Sequence, residues 1–522
     1  MCDVEHDPFL RVKTYTFLNG PTACVLPSWV KKLAKDPVFR RLNYLYQLGL
    51  VYFLCPAATH TRFAHSLGVA YTAHELLAAL HRAHGRALGL TRADVNTVVF
   101  AALCHDLGHG PISHAYEKFM KAARPACEWE HEHQSGVMIE FMLNRNNGAL
   151  RKLITAPSVG VDVDVALAMI CGDSSCVSAD KQFLFDIVNN VTSGLDVDKL
   201  DYLVRDAHTT GQPVTVEVTR LLCGARVMRN AAGRTCIAWP HELASTVQAV
   251  FQARQDLHLN VIQHPCARAA EYMALEALRC LAECRVVPGS DVVLADAHAR
   301  PEVYEKLTDV LLNAGMLGVL QLPANATAAE VGGFARASTM FARLHTWDFV
   351  RFCGEMTMTM TPTFTVWSAE RIAADLAARS GVKVDSIFVH IATSSRGKGK
   401  LNPVAYVPLF QKVAARSKAG AGAGAGASGS GTAAAAGSSF VLDVDYDFVG
   451  ESPEPELVLV HPDAVHYARP STCELHKLLV FADTIKQQKP VQDALLAWAR
   501  DVQSEAAKAD ASTVITVAVD TP

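Results

Sequence analysis

The sequence predicts a mainly α-helical protein, in which a helical bundle is followed by a smaller α+β lobe. From about Pro27 to Arg285 the apolar residues recur at spacings of three and four, which is the period of amphipathic helices. Beyond about residue 340 the pattern changes to short β-type segments. Half of the 522 residues are hydrophobic, so the chain can bury a large core in more than one compact unit.

The chain divides into four predicted parts. Residues 1–29 form an N-terminal segment, 30–340 the helical core, 341–508 the α+β lobe and 509–522 a loose tail. Within the lobe, residues 417–439 are mostly Ala, Gly and Ser, which cannot bury enough surface to order themselves, so we expect a flexible insertion. The lobe's predicted strands and final helix are Phe388–Ala392, Val404–Phe410, Phe440–Val444, Leu457–Val460 and the helix Val491–Val502.

Composition and charge exclude several classes of protein. The formal net charge of −4 argues against a general binder of polyanions, so phosphate affinity must come from local clusters of basic residues. No apolar run is long enough to span a membrane, and the acidic, polar N-terminus does not fit a secretory or mitochondrial leader. We therefore expect a cytoplasmic or nuclear protein. The 14 cysteines lack paired spacing and do not indicate disulfides.

A helix from Val95 to Leu107 is predicted by its boundary residues. Thr91 with Asp94 forms a capping-box pattern ahead of the helix, and Gly108 provides a stop signal behind it. The helix is continuously apolar before its end, which predicts a buried position.

His105 and Asp106 close this apolar helix. A buried imidazole and carboxylate must find a partner or bear a desolvation cost. Neighbouring helical side chains diverge by ~100°, so the pair can approach one ion from two sides. Histidine nitrogen and aspartate oxygen are both metal ligands, and the pair therefore predicts a metal site.

Two further ligands are predicted elsewhere in the chain. His65 lies in THTRFAHSLGVA and Asp198 in DVDKLDYLVRDAHTTG. Arg62 lies three residues before His65 on the same helix face, where its guanidinium could hold a phosphate beside the metal. The alternative is an ordinary helix with a surface ion pair.

The segment that contains Asp198 has a pattern that suits a nucleotide. Asp198, Tyr202 and Asp206 recur every four residues and share one helix face, and Lys199 is adjacent. Asp198 could bind the ion, Lys199 a phosphate, Tyr202 the sugar face and Asp206 a sugar hydroxyl. The alternative is a solvated helix face whose charged residues form routine pairs, namely Asp201, Arg205 and Asp206.

The order His, His-Asp, Asp resembles that of the HD-domain metal-dependent phosphohydrolases. With the stretches RRLNYLYQLG, CHDLGHGPISH and WEHEH, the chain is similar to the branch of deoxynucleoside triphosphate (dNTP) triphosphohydrolases that also carry a SAM domain. The resemblance runs from about Val30 into the C-terminal lobe. It implies an HD-domain helical bundle, and we expect no SAM domain ahead of it here.

The resemblance implies a role for each matching position. The implied metal ligands are His65, His105, Asp106 and Asp198. The implied catalytic residues are His109, His114, Glu117 and His131, where Glu117 replaces an aspartate of these relatives. The implied substrate-binding residues are Gln47, Leu48, Arg62, Lys199, Tyr202, Asp206 and Arg254. The implied reaction is hydrolysis of a dNTP to deoxynucleoside and inorganic triphosphate, with His131 or His114 protonating the departing 5′ oxygen.

The cofactor and partners follow from this reading. His and Asp ligands suit Fe, Zn or Mn, and Mg²⁺ is expected with the substrate phosphates. A dNTP is the expected partner and a homo-oligomer is a further hypothesis, whereas the negative net charge disfavours nucleic acid as the main ligand. Two alternatives stay open. One is an HD-type phosphodiesterase or nucleotide monophosphatase, and the other is a non-enzymatic protein that binds a partner or nucleic acid and whose HD metal site is structural.

Overall fold

The computed structural model describes residues 10–11, 25–229, 233–358, 368–399, 401–412, 447–448, 457–460, 474–509 and 515–519. Its α-helices, in chain order, are α1 (Val30–Leu33), α2 (Pro37–Arg40), α3 (Arg62–His84), α4 (Arg92–Cys104), α5 (Ala115–Ala123), α6 (His131–Thr155), α7 (Val163–Cys171), α8 (Phe185–Val188), α9 (Val197–Thr210), α10 (Val218–Gly224), α11 (Ala244–Leu257), α12 (Pro265–Cys280), α13 (Pro301–Tyr304), α14 (Val310–Met316), α15 (Ala328–His345), α16 (Ala369–Ser380) and α17 (Ile485–Ala509). Its strands are β1 (Leu10–Arg11), β2 (Val25–Leu26), β3 (Arg226–Arg229), β4 (Thr235–Pro240), β5 (Arg351–Met358), β6 (Ile387–Ser395), β7 (Leu409–Lys412), β8 (Asp447–Phe448), β9 (Leu457–Leu459), β10 (Glu474–Ala482) and β11 (Ile515–Ala518).

The mainly α-helical prediction is confirmed. Helix α3 packs between α4 and α9, and α12 packs against α15 and α5, around a continuous apolar core. The predicted capping box is present, since Thr91 Oγ1 accepts from the Asp94 backbone N–H at 3.1 Å and the Asp94 carboxylate accepts from the Thr91 N–H at 2.8 Å. Helix α4 ends at Cys104, three residues before the predicted end at Leu107.

The early end of α4 produces a separate structure, the His-Asp loop (His105–His114). Arg41 is buried behind this loop and donates hydrogen bonds of 2.8 Å to the carbonyls of Leu107, His109 and Leu307. The Tyr304 hydroxyl donates to the Gly108 carbonyl at 2.7 Å. These carbonyls are therefore satisfied by side chains from other elements, and the chain can leave the helix without losing backbone hydrogen bonds.

The second half of the His-Asp loop is held in a strained conformation. Ile112 and Ser113 have φ angles of 61° and 55°, which are uncommon for residues with a Cβ. The Asp309 carboxylate accepts the Ile112 N–H at 2.7 Å and the Tyr46 N–H at 2.7 Å. Because such strain persists only where surrounding contacts over-determine it, the Asp309 bonds fix the path of this loop.

The lobe contains an antiparallel sheet with the order β11-β5-β10-β6, packed against α16 and α17. The predicted strand Phe388–Ala392 lies within β6, and the predicted helix Val491–Val502 lies within the longer α17. Residues 515–518, predicted as part of a loose tail, instead form edge strand β11. They are ordered because Val517 packs on the lobe core while the backbone pairs with β5.

A second sheet, with the order β8-β3-β4-β7-β9, crosses the predicted boundary near residue 340. Strands β3 and β4 come from the helical part, and β4 pairs in parallel with β7 from the lobe. The predicted strand Val404–Phe410 is wrong over most of its length because Pro403–Tyr406 forms a 3₁₀ turn capped by Asn402. The predicted strand Leu457–Val460 matches β9. The predicted strand Phe440–Val444 and the insertion 417–439 lie outside the described residues.

Within the described ranges, every helix is too short or too polar to serve as a membrane-spanning segment.

Candidate functional site

The predicted site residues meet around one cavity of about 590 Å³. It is bordered by α3, the His-Asp loop, α9, α11 and the start of α12. All of the predicted site residues except Glu117 line it: Gln47, Leu48, Arg62, His65, His105, Asp106, His109, His114, His131, Asp198, Lys199, Tyr202, Asp206 and Arg254. The structure therefore brings side chains that are far apart in the chain together around one cavity.

Four potential metal ligands lie at the centre of this cavity. Ligand atoms of His65, His105 and Asp198 are all within 4.8 Å of one another. Asp198 Oδ1 is 3.0 Å from His65 Nε2 and 3.6 Å from His105 Nε2. Asp106 contacts the same two rings, at 3.6 Å from His65 Nε2 and 3.4 Å from His105 Nε2. The four side chains surround a common point from three separate elements.

The ring orientations of the two histidines fit a metal ion. His65 Nδ1 bonds the Asp201 carboxylate at 2.8 Å, and His105 Nδ1 bonds the Ala102 carbonyl at 2.8 Å. Both Nε2 atoms therefore face the cluster, and such outer bonds are typical of metal-ligating histidines. His105 Nε2 is buried and has no hydrogen-bond partner among the described residues. A divalent cation would satisfy this nitrogen and the adjacent carboxylates together.

Negative charge dominates the surroundings of His65. Burial lowers the pKa of His65, but the hydrogen bonds to Asp198 and Asp201 outweigh it and raise that pKa to about 10. Burial likewise raises the pKa of Asp198, yet the nearby His105 and His65 rings outweigh burial and hold it well below its usual value. The cluster thus concentrates carboxylate charge at a buried point, which favours a cation there.

The sequence did not predict the role of Asp201 and Arg205. Arg205 binds the Asp201 carboxylate through Nε and Nη2, at 2.9 and 2.8 Å, and both residues are buried rather than solvated. Helix α3 comes so close at Gly68 that a Cβ there would lie 2.0 Å from Asp201 Oδ1 and 2.4 Å from Arg205 Nη2. This glycine opposite an Asp-Arg pair at i, i+4 spacing is the sequence signal for the support of His65.

Arg62 joins the metal ligands to the rest of the cavity. Its Nη1 donates to Asp106 Oδ2 at 2.5 Å and its Nε to Ser113 Oγ at 3.0 Å. Burial raises the pKa of Asp106, but Arg62 and two histidines reverse this and hold it well below the usual value. Arg62 Nη2 is buried without a hydrogen-bond partner among the described residues, so one donor is available to an anion in the cavity.

Three further histidines form a second cluster beside the first. The rings of His109 and His131 stack at 4.1 Å, and His114 packs edge-on to both. Glu117 does not line the cavity but lies behind it, where its carboxylate is 2.8 Å from His131 Nδ1. Burial raises the pKa of Glu117, and hydrogen bonds with His114 and His131 outweigh burial and lower it. Burial, with Arg62 nearby, lowers the pKa of His109 well below its usual value.

The predicted nucleotide row lies along α9, with one addition. Lys199 Nζ is 3.2 Å from Asp196 Oδ2 and lines the cavity with Tyr202. Asp206 also lines the cavity, but His60 Nε2 already bonds its Oδ1 at 2.7 Å. His60 was not predicted from the sequence, because nothing in its local pattern shows that it meets a residue 146 positions away.

One wall of the cavity consists of charged residues that the sequence analysis did not single out. Lys118 on α5 and Arg268 on α12 both bind the Glu271 carboxylate, at 2.8 and 2.7 Å. Each residue looks like part of an ordinary solvated helix face in the sequence. Arg268 and Glu271 are three residues apart on α12, but only the packing of α5 against α12 brings Lys118 to this pair, so no local signal could have found the complete wall.

Comparison with known proteins agrees with the fold. Residues 62–163 match the HD domain family, and the chain therefore contains an HD domain. It is 33% identical over 295 residues to the deoxynucleoside triphosphate triphosphohydrolase SAMHD1 of Gallus gallus, covering 53% of this chain and 47% of that protein. It is 32% identical over 319 residues to the protein of the same name from Homo sapiens, covering 58% and 50%.

A more distant relative is the putative HD domain-containing protein L394 of Acanthamoeba polyphaga mimivirus, which is 26% identical over 280 residues, covering 52% of this chain and 57% of that protein. The chain spans about half the length of the relatives it matches. The resemblance predicted from the residue motifs is confirmed.

Proposed function

We propose, from the HD domain that this chain contains, that the protein is a metal-dependent hydrolase that converts dNTPs to deoxynucleosides and inorganic triphosphate. The observation that carries the proposal is the row of Asp198, Tyr202 and Asp206, which extends from the candidate metal cluster along the wall of one cavity. A simple phosphomonoester would not need this row. The names of the two SAMHD1 relatives point to the same reaction.

The cavity provides cations for a triphosphate. Arg62, Lys199 and Arg254 line it, and Arg62 has a free Nη2 donor in the part of the chain that the structure describes. Fixed cations in a partly buried site stabilise the charge that develops on phosphoryl oxygens more strongly than they would in water. The volume of about 590 Å³ lies in the range of small-molecule sites.

We propose that His65, His105, Asp106 and Asp198 hold a divalent ion. The mixed nitrogen and oxygen donors suit Fe, Zn or Mn, and Mg²⁺ would accompany the substrate phosphates. When bound, such an ion supplies Lewis acidity, which activates water and polarises a phosphoryl oxygen. The protein's own contribution is to fix the ligand rings through Asp201 and Ala102.

His131 is the proposed proton donor to the departing 5′ oxygen. Glu117 holds its Nδ1, so its Nε2 is free to face the cavity, and the stacked ring of His109 limits its rotation. A positioned proton donor of this kind typically contributes ~10² to 10⁴-fold to a rate. His114, whose side chain is 71% exposed, is the second candidate for this role.

Tyr202 and Asp206 are proposed to bind the deoxyribose. Tyr202 presents its ring to the cavity, and a ring packed against the sugar would leave no room for a 2′-hydroxyl. Because His60 bonds one oxygen of Asp206, the other oxygen is the acceptor for a sugar hydroxyl.

A homo-oligomer and a cytoplasmic or nuclear location stay predictions.

The test is to incubate the full chain with each dNTP and Mn²⁺ or Mg²⁺ and to separate the products. We expect inorganic triphosphate and deoxynucleoside, and we expect both to disappear in the double variant His105→Ala/Asp106→Ala. His133→Gln, at an exposed position on α6, is the matched control and should keep full activity. Release of orthophosphate or a nucleotide would favour the phosphodiesterase or monophosphatase alternative, and no product at all would favour a non-enzymatic role.

A further inference from the structure

We propose that a second cavity, beside the first, binds the phosphate group of a small anion. The cavity has a volume of about 370 Å³ and lies where α5, α12 and the start of α16 meet β6. It is lined by Lys118, Arg268, Glu271, Tyr272, Leu275, Arg279, Ala369, Phe388, Val389, His390 and Ile391. The proposed nucleotide site lies on the other side of the Lys118–Glu271–Arg268 wall, since these three residues line both cavities.

The charges around the second cavity favour an anion. Three cationic side chains line it, Lys118, Arg268 and Arg279, against a single carboxylate, Glu271. Glu271 is shared between Lys118 and Arg268, so its charge offsets only part of theirs. The acidic partner of Arg279 is Glu276, which does not line the cavity. The lining therefore carries an excess of positive charge next to a low-dielectric wall.

Arg268 indicates that a ligand belongs here. Arg268 is 7% exposed, and its two terminal nitrogens bind the Glu271 carboxylate. Its Nε is buried and has no hydrogen-bond partner among the described residues. A buried donor of a charged group that lacks an acceptor destabilises the folded protein. A phosphate oxygen in the cavity is an acceptor that would remove this cost, and guanidinium–phosphate bonds are among the stronger hydrogen bonds in proteins.

The backbone adds to the positive potential. Ala369 is the first residue of the 12-residue helix α16 and lines the cavity, so the N-terminal end of the helix dipole lies at the cavity wall. His390 is neutral there, because burial, with help from Arg268 and Lys118, lowers its pKa to about 3. Its Nε2–H donates to Gln263 Oε1 at 3.0 Å. Apart from Glu271, the lining residues place no negative group where an anion would bind.

The apolar part of the lining limits the size of the ligand. Tyr272 and Phe388 stack on each other at 3.7 Å and, with Leu275 and Val389, form a wall that offers shape but few hydrogen bonds. Inorganic pyrophosphate and a nucleoside monophosphate are two sources of such a phosphate group with a size that suits this cavity.

The test is isothermal titration calorimetry of the full chain with inorganic pyrophosphate and, separately, with AMP. Arg279→Glu and Ala369→Glu place negative charge at the second cavity only, and each should raise the dissociation constant of the probe at that cavity about tenfold or more. Lys199→Met changes the first cavity only and should leave this site intact. Arg336→Glu, at an exposed position on α15, is the matched charge-reversal control and should bind like wild type. Circular dichroism checks that each variant is folded.

The outcomes separate the sources of the phosphate and decide the proposal. Binding of pyrophosphate alone identifies an inorganic anion site, and binding of AMP alone identifies a nucleotide phosphate site. The proposal is overturned if neither probe binds, or if binding is lost in Lys199→Met and unchanged in both Arg279→Glu and Ala369→Glu. These measurements need no turnover, so they stand even if dNTP hydrolysis is not observed.

Discussion

Replacing Gly68 by alanine should destabilise the protein and weaken metal binding, although the same change helps most helices. Gly68 lies inside α3, where alanine is normally favoured by ~0.5–1 kcal/mol because it restricts the unfolded chain. Here the added Cβ would lie 2.0 Å from Asp201 Oδ1 and 2.4 Å from Arg205 Nη2, whereas ordinary contacts begin near 3.4 Å. The Asp201–Arg205 pair must move.

The size of the effect follows from the bonds that this movement breaks. The Asp201 carboxylate accepts from His65 Nδ1 at 2.8 Å and from two nitrogens of Arg205. A shift of more than about 1 Å takes at least one of these out of hydrogen-bond range, and a bond to a charged group contributes ~1.5–3 kcal/mol. This loss exceeds the helix-propensity gain, so we expect a net destabilisation of ~1–3 kcal/mol. Losing the support of a ligand histidine typically costs ~10–100-fold in metal affinity.

Two measurements and one control test this prediction. Urea unfolding followed by circular dichroism gives the stability, and calorimetric titration of metal-stripped protein with Mn²⁺ gives the dissociation constant. Gly136→Ala on α6 is the matched control, because its Cβ would meet only Leu167 Cδ2, at 3.7 Å. Gly136→Ala should gain up to ~1 kcal/mol and bind Mn²⁺ like wild type. A Gly68→Ala protein with wild-type stability and Mn²⁺ affinity would refute the proposed support of His65.

Three further changes have defined outcomes. Burial raises the pKa of Asp186 to about 7, so the folded protein binds a proton at this residue between pH ~4 and 7 that the unfolded chain does not bind. The free energy of unfolding therefore falls as the pH rises through this range. Asp186→Asn removes this loss and should be more stable than wild type at pH 8 by up to a few kcal/mol, as measured by urea unfolding. Glu117→Gln should lower kcat about tenfold or more with little change in KM, because His131 loses the charge that orients it, measured by dNTP hydrolysis. Asp309→Ala should reduce the free energy of unfolding by ~2–4 kcal/mol, because the backbone N–H groups of Ile112 and Tyr46 lose their acceptor. Thermal or urea unfolding measures this change.

Each of these changes has its own contradicting result. If Asp186→Asn and wild type differ equally at pH 4 and pH 8, the residue does not carry the raised pKa. A rise in KM at constant kcat in Glu117→Gln would place that residue in binding rather than in orienting His131. If Asp309→Ala is as stable as wild type, the strained part of the His-Asp loop is fixed by other contacts.

The sequence was most informative where the chemistry requires particular residue types. The sequence alone singles out His105 and Asp106 as candidate metal ligands, because a buried imidazole and carboxylate at the end of an apolar helix need a partner. His65 and Asp198 are then the candidates for the remaining ligands. Their meeting in one cavity is what the structure adds. Glu117 was also identified, but its position behind His131 rather than in the cavity depends on how α5 packs.

The sequence was least informative where a role depends on two distant segments. His60 and Asp206 form a buried pair that no local pattern indicates. The parallel pairing of β4 with β7 joins parts of the chain that composition had assigned to separate units, and its register covers only Trp239–Leu409 and Pro240–Phe410. Short strands of this kind carry too little periodicity to be recognised from their own residues.

Arg41 has a consequence for the ligand that lies beyond its role in the fold. The peptide oxygens of Leu107 and His109 accept hydrogen bonds from this guanidinium, and the peptide oxygen of Gly108 accepts one from Tyr304. Neither Arg41 nor Tyr304 lines the cavity. The electron-rich ends of three successive peptide dipoles are thus turned away from the place where a triphosphate would approach. A neutral side chain at position 41 would release the oxygens of Leu107 and His109, and an entering anion would then meet repulsion from the loop that carries two of the proposed metal ligands.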